Sequence, residues 1–173
     1  MPLYEVLHSY PLTEAQHADF AQRITAIHTK LFTVPAVFVN VRFQYCAKTE
    51  HYMGGKKLTG NTNLVIANVR AGPSRSHHQW ESLCRQIETA WTICVGEAVV
   101  QSEPSAQFTA AIVHGVLTAA YEQGFMAPQA GQDGEWMRAN LPRFQALADS
   151  GQVFFQDMIA EMRGREEFKS VFE

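Results

Sequence analysis

Cysteine is scarce in this chain: Cys46, Cys84 and Cys94 are the three among 173 residues. An odd count without a spacing motif excludes a disulfide framework. It points to reduced thiols in a reducing compartment, the cytosol by elimination. An excess of charge of one sign is also missing. The formal net charge is −3, which gives no electrostatic case for nucleic acid or an anionic membrane as partner. No apolar run approaches transmembrane length. No basic stretch followed by an apolar one opens the chain, so a signal peptide is not expected. Phosphate-loop and Rossmann glycine patterns are absent. Gly54-Gly55-Lys56-Lys57 lacks the earlier glycine and the following Ser or Thr, and reads as a turn with solvated lysines. None of the seven histidines has a zinc-like spacing, and the adjacent His77 and His78 cannot easily share a metal on a helix.

The sequence does contain a regular alternation of short elements. Residues 3–9 partly alternate and predict a strand. Thr13 followed by Gln16 is a capping-box signature, and Phe20, Ile24, Ile27 and Leu31 recur at helical spacing, so a helix is expected over 13–32, ended by Pro35. Val37, Val39, Val41, Phe43 and Tyr45 share one face of a second strand over 37–45. Residues 46–62, with Gly54-Gly55, Gly60 and Asn61, read as a loop or loose hairpin. The order then repeats. A strand is expected over 63–70. A long helix follows, marked by Trp80, Leu83, Ile87, Trp91 and Val95 and interrupted at Gly96. A fourth strand covers 106–114. Trp80, Trp91, Cys84 and Cys94 belong to the packed side of that second helix.

Two consecutive β-α-β units, with halves 1–60 and 61–136, predict an α/β fold: a four-stranded sheet with two helices on one face. Its other face would be apolar and exposed, which calls for a partner. Residues 123–136 read as a Gly/Pro/Gln loop. Residues 137–173 are set apart as a C-terminal helical extension, broken near Ser150-Gly151, with a weakly docked tail.

Pro2 is the residue that gives this layout a chemical meaning. A proline can simply start a strand. If Met1 is removed, however, Pro2 carries a free secondary amine. A proline-headed strand followed by paired β-α-β units resembles the tautomerase superfamily, and the details resemble its cis-3-chloroacrylic acid dehalogenase group. "LTEAQHADFAQRITAIH" is similar to the group's first helix, including Ile24-Thr25 and His28. "VRFQ" and "YMGG" are similar to the end of its second strand and the following loop, and Arg70 closes the third strand. "YEQGFMAPQAGQDGEW" resembles its catalytic loop, with Glu122, Gly124, Pro128-Gln129, Gly131 and Gly134-Glu135-Trp136 in register. The resemblance covers residues 2–136.

The resemblance implies cofactor-independent acid/base chemistry on a small unsaturated or enolisable carboxylate, in a homotrimer. Walled by apolar groups, the amine of Pro2 would have its cationic form disfavoured, which suits a general acid or base. Arg70 and His28 would hold the substrate carboxylate through charge-assisted bonds. The group's second arginine falls in a short Arg-x-Gly-Arg-Ser pattern; here residues 70–76 carry two extra positions, and Arg75 is the candidate. Glu122 would orient or activate water. The group pairs that glutamate with a tyrosine on the fourth strand, where this chain has Val113; Tyr121 is the candidate replacement. The missing partner weakens the case for dehalogenation relative to hydration or tautomerisation. The rival expectation is a non-catalytic ligand- or protein-binding member of the same fold.

Overall fold

Tyr4, Val6 and His8 alternate with Leu3, Glu5 and Leu7 along β1 (Leu3–His8), so one side of the strand is fully buried and the other only half so. The computed structural model describes residues 2–58 and 62–173. Met1, on whose removal the proline chemistry depends, and the Gly60-Asn61 part of the expected loop lie outside the described residues. β1 is the second strand of a four-stranded sheet ordered β2-β1-β5-β6. It runs parallel to β2 (Asn40–Tyr45) and antiparallel to β5 (Asn63–Asn68), and β5 runs parallel to β6 (Ala110–His114). β3 (His51–Met53) and β4 (Lys56–Leu58) form a hairpin around Gly54-Gly55.

α1 (Glu14–Phe32) starts at Thr13, whose Oγ1 accepts the Gln16 N–H while Gln16 Oε1 accepts the Thr13 N–H. α2 (His77–Val95) begins with the same reciprocal box between Ser76 and Gln79. Both helices pack on the Tyr4–Val6 side of the sheet, where Phe20, Ile24, Leu83, Ile87 and Trp91 join Val65 and Ala67 in one core. Each such large side chain contributes about 1.5–3 kcal/mol on burial. The Trp91 indole N–H is satisfied by the Ala106 carbonyl at 2.8 Å. A short helix α3 (Glu97–Ser102) leads from α2 toward β6. The expected architecture is therefore the observed one: a four-stranded sheet with two helices on one face. The opposite face carries Leu3, Leu7, Leu64, Ile66 and Ile112, the last 41% exposed.

Two strand starts, one strand end and one loop differ from expectation; β5 ends at Asn68, so Arg70 lies two residues past the strand and does not close it. β2 starts at Asn40 rather than residue 37, because residues 36–38 form a 3-10 turn. Its first N–H, from Ala36, is held by Glu161 Oε2 at 2.7 Å. The fourth strand starts at Ala110 rather than 106, because the Asn63 side-chain amide binds the Ser105 and Gln107 carbonyls and holds that segment off the sheet. Within the expected loop, β7 (Tyr121–Glu122) and β8 (Phe125–Met126) form a small hairpin. Its two turn residues, Gln123 and Gly124, both have positive φ, as a tight two-residue hairpin requires.

The C-terminal region is more integrated than its sequence suggests. α4 (Asp133–Asp149) crosses the 136/137 division, and α5 (Val153–Gly164) follows after Gly151. Met137, Phe144, Phe155, Met158, Ile159 and Met162 form a second core that also takes in Phe125. The tail is docked, not loose: residues 166–171 form a 3-10 helix that buries Phe168 and Val171. Arg165 ties it to the end of α1 through the Val34 and Thr29 carbonyls. No helix among the described residues is long and apolar enough to cross a membrane.

Candidate active site

β1 delivers Pro2 to the boundary between the two cores. The residue is buried, and its carbonyl accepts the Asn40 N–H at 3.1 Å. Beside it opens a narrow cavity of about 20 Å³. Pro2, Arg70 and Glu122 line it together with Asp133. The rest of the wall is apolar, made largely by Phe38, Phe125, Trp136 and Met137. Three of the residues singled out from the sequence thus converge from positions 2, 70 and 122.

Glu122 ends β7, where strand alternation turns it toward the cavity. Its Oε1 accepts from the Asn40 side-chain amide at 3.2 Å. Its Oε2 is buried and has no hydrogen-bond partner among the described residues. Burial pushes the carboxyl pKa up, and the Asn40 bond holds it partly down. A carboxylate oxygen left unpaired among the described residues, beside a largely apolar cavity, is poised to accept a proton or a hydrogen bond from whatever enters.

Arg70 is 8% exposed. One terminal nitrogen donates to the Pro128 carbonyl. The other forms an ion pair with Asp133 Oδ1 at 2.6 Å. Arg75 does not line this cavity. Its guanidinium lies over the Phe32 ring at 4.6 Å and donates to the Arg70 carbonyl at 3.0 Å. It faces an adjoining cleft with Ser74, Gln79 and Gly131. The two extra residues after Arg70 place it there, and it supports the Arg70 backbone.

His28 does not line the cavity either. It is 1% exposed, because the buried face of α1 runs Phe20, Ile24, His28, Phe32, a strict i+4 series that includes the histidine. Its Nδ1 is 2.6 Å from the Tyr4 hydroxyl, and its ring packs on Phe32. Burial, reinforced by the Arg75 charge, lowers its pKa to about 3. The imidazole is therefore neutral at ordinary pH. The same burial raises the Tyr4 hydroxyl far above its usual value, so the pair is an uncharged hydrogen bond beneath the site.

Tyr121 is 70% exposed. Neighbours on a strand point to opposite sides, so turning Glu122 inward turns Tyr121 outward. Val113, which stands where a tyrosine was looked for, lies along a separate groove with Trp80 and Cys84. Asn40 and Asp133 were not picked out from the sequence. The one signal for Asp133 was an acidic residue opening a helix; nothing marked Asn40.

Comparison with known proteins agrees with this fold. The family model described as "Putative oxalocrotonate tautomerase enzyme" matches residues 1–141. No curated protein matches the chain. Among solved structures, N1, a member of the cis-3-chloroacrylic acid dehalogenase family, is 21% identical with a TM-score of 0.62, covering 85% of this chain and 99% of that one. A protein from the thermophilic fungus Aspergillus fumigatus is 25% identical, with a TM-score of 0.58, covering 81% and 94%. A wild-type fused 4-OT that forms an asymmetric trimer is 19% identical with a TM-score of 0.54, covering 72% and 95%.

Proposed function

The chain belongs to the oxalocrotonate tautomerase family, and from that premise we propose that it is a cofactor-independent acid/base enzyme in which the imino group of Pro2, freed by removal of Met1, moves a proton on a small unsaturated or enolisable carboxylate. The observation that carries this reading is the meeting of Pro2, Arg70 and Glu122 on one largely apolar cavity.

Each residue then has a physical task. Burial disfavours the cationic imino group and brings its pKa toward the working range. Arg70 supplies the guanidinium for the substrate carboxylate. In tautomerisation, the Pro2 nitrogen accepts the enol O–H proton as the C=O bond forms, and the cationic imino group delivers a proton to carbon. In hydration, Glu122 takes a proton from water as its oxygen bonds to the β-carbon, and the Pro2 cation protonates the α-carbon. Dehalogenation of a cis-3-haloacrylate would begin with that same addition, after which halide leaves the hydrated carbon and a proton leaves its hydroxyl as the C=O bond forms. His28, Arg75 and Tyr121 have no direct contact with substrate in this reading. His28 and Arg75 support the floor and the Arg70 turn.

The partly exposed sheet face that carries Leu3, Leu7, Leu64, Ile66 and Ile112 supports assembly as a homotrimer, and the fused 4-OT relative is a trimer. The free thiols of Cys46, Cys84 and Cys94 suit a cytosolic setting. The test is turnover of a phenylpyruvate-type keto–enol pair and of a cis-3-haloacrylate by wild type and Pro2→Ala. At least one reaction should fall by orders of magnitude in a variant that still folds. Undiminished turnover of both refutes the role of Pro2.

A further inference from the structure

Among the described residues, Arg70 is the one cationic side chain that lines the cavity, and it is already paired. Asp133 Oδ1 sits 2.6 Å from one terminal nitrogen and the Pro128 carbonyl takes the other. The pair is nearly dry, at 9% and 15% side-chain exposure. Asp133 opens α4, so the helix N-terminus also favours its charge. The strap that delivers it, residues 127–132, lies hard against the turn after Arg70. A Cβ built at Gly72 would come within 3.0 Å of the Ala130 Cβ, and one at Gly131 within 2.5 Å of the Ser74 Oγ. The side chains lining the cavity thus set one guanidinium against two carboxylates, Asp133 and Glu122.

We propose that Asp133 is a specificity-determining residue: a carboxylate built into the chain that occupies Arg70 between turnovers, is displaced by the substrate carboxylate, and restricts the site to acids with a single negative charge. The inference rests on the carboxylate-binding role given to Arg70 above. An incoming monocarboxylate exchanges for Asp133 on the same guanidinium fork, and the displaced Asp133 stays at the head of α4. A second substrate carboxylate would meet Glu122 and the displaced Asp133, three negative charges with only the Pro2 imino cation to offset them. Desolvating an unpaired charge is strongly unfavourable. The apolar wall of Phe38, Phe125, Trp136 and Met137 accepts the uncharged remainder.

The experiment titrates acrylate, a monocarboxylate, and maleate, a dicarboxylate, into full-length wild type and Asp133→Asn by NMR-detected binding. The variant should bind acrylate at least tenfold more tightly and acquire affinity for maleate. Glu135→Gln, which removes an exposed carboxylate two residues further on, should match wild type. Equal or weaker acrylate binding by folded Asp133→Asn overturns the proposal, as does an equal gain in Glu135→Gln. Should Asp133→Asn not fold, the wild-type protein decides: its Asp133 carboxyl carbon signal should move as acrylate saturates the site, and an unmoved signal overturns the proposal. If wild type binds acrylate and only the Asp133 effects are missing, this inference fails alone. If wild type binds no carboxylate, the carboxylate reading of Arg70 fails and takes this one with it.

Discussion

Asn40 ties Glu122 to the strand that carries Pro2: its side-chain amide donates to Glu122 Oε1 at 3.2 Å while its backbone N–H donates to the Pro2 carbonyl at 3.1 Å. One residue thereby sets the spacing between the two groups assigned to proton transfer. The bond also favours the ionised form of Glu122 against the effect of its burial.

Asn40→Ala should therefore raise the Glu122 pKa further. A hydrogen bond to a charged group is worth about 1.5–3 kcal/mol, so the acid limb of the hydration pH–rate profile should move up by about one to two units. Profiles that superimpose for wild type and variant would remove Asn40 from this role.

His28 predicts an acid-sensitive fold. Its pKa is about 3 in the native state against 6.5 as the ordinary value, so below pH 6.5 the unfolded chain binds a proton that the folded chain refuses. Stability should fall as pH drops through that window, by about 1.4 kcal/mol per pH unit from this residue. His28→Gln should show a correspondingly shallower loss in urea titrations between pH 6.5 and 4. Equal slopes would mean that the buried imidazole is not the titrating group.

Gly131→Ala should loosen the strap over the site. The residue has φ +90°, and its new Cβ would meet Ser74 Oγ at 2.5 Å. Left-handed backbone strain alone costs about 1–3 kcal/mol, which in a chain of this size lowers Tm by about 2–12 °C. Calorimetry checks it; an unchanged Tm would mean that the strap is not seated as described.

Phe144→Ala should damage the wall of the cavity from behind. Phe144 lies 4.8 Å from Phe125 and 5.3 Å from Trp136, ring centre to ring centre. Removing a fully buried phenylalanine costs about 3–5 kcal/mol. Turnover should fall along with Tm, because Phe125 and Trp136 both line the site. A stable, fully active variant would show that the second core is independent of the site.

Local features of the chain were legible in advance and tertiary ones were not. Thr13 and Gln16 announce the start of α1 because both partners of the cap lie within one turn. Alternation in β1 and the Trp91 stripe in α2 are equally local. The apolar stripe Phe20, Ile24, Ile27 and Leu31 leaves His28 out, whereas the buried face follows the i+4 series from Phe20 and includes it. The Gln123-Gly124 hairpin was hidden inside a Gly-rich stretch, although two such residues between "YE" and "FM" are a turn signal. Asn40–Glu122 and Arg70–Asp133 pair residues 82 and 63 positions apart, and no short-range pattern encodes such a meeting. The docking of the tail rests on Phe168 and Val171 finding a second core assembled by α4 and α5.

The central claim concerns one nitrogen atom, and proline-selective 15N NMR of the purified, assembled protein reads it directly. The signal of residue 2 should be that of a free secondary amine, titrating below the ordinary α-amino range. An amide signal, meaning that Met1 is still attached, or an amine with an unshifted titration, would contradict the account.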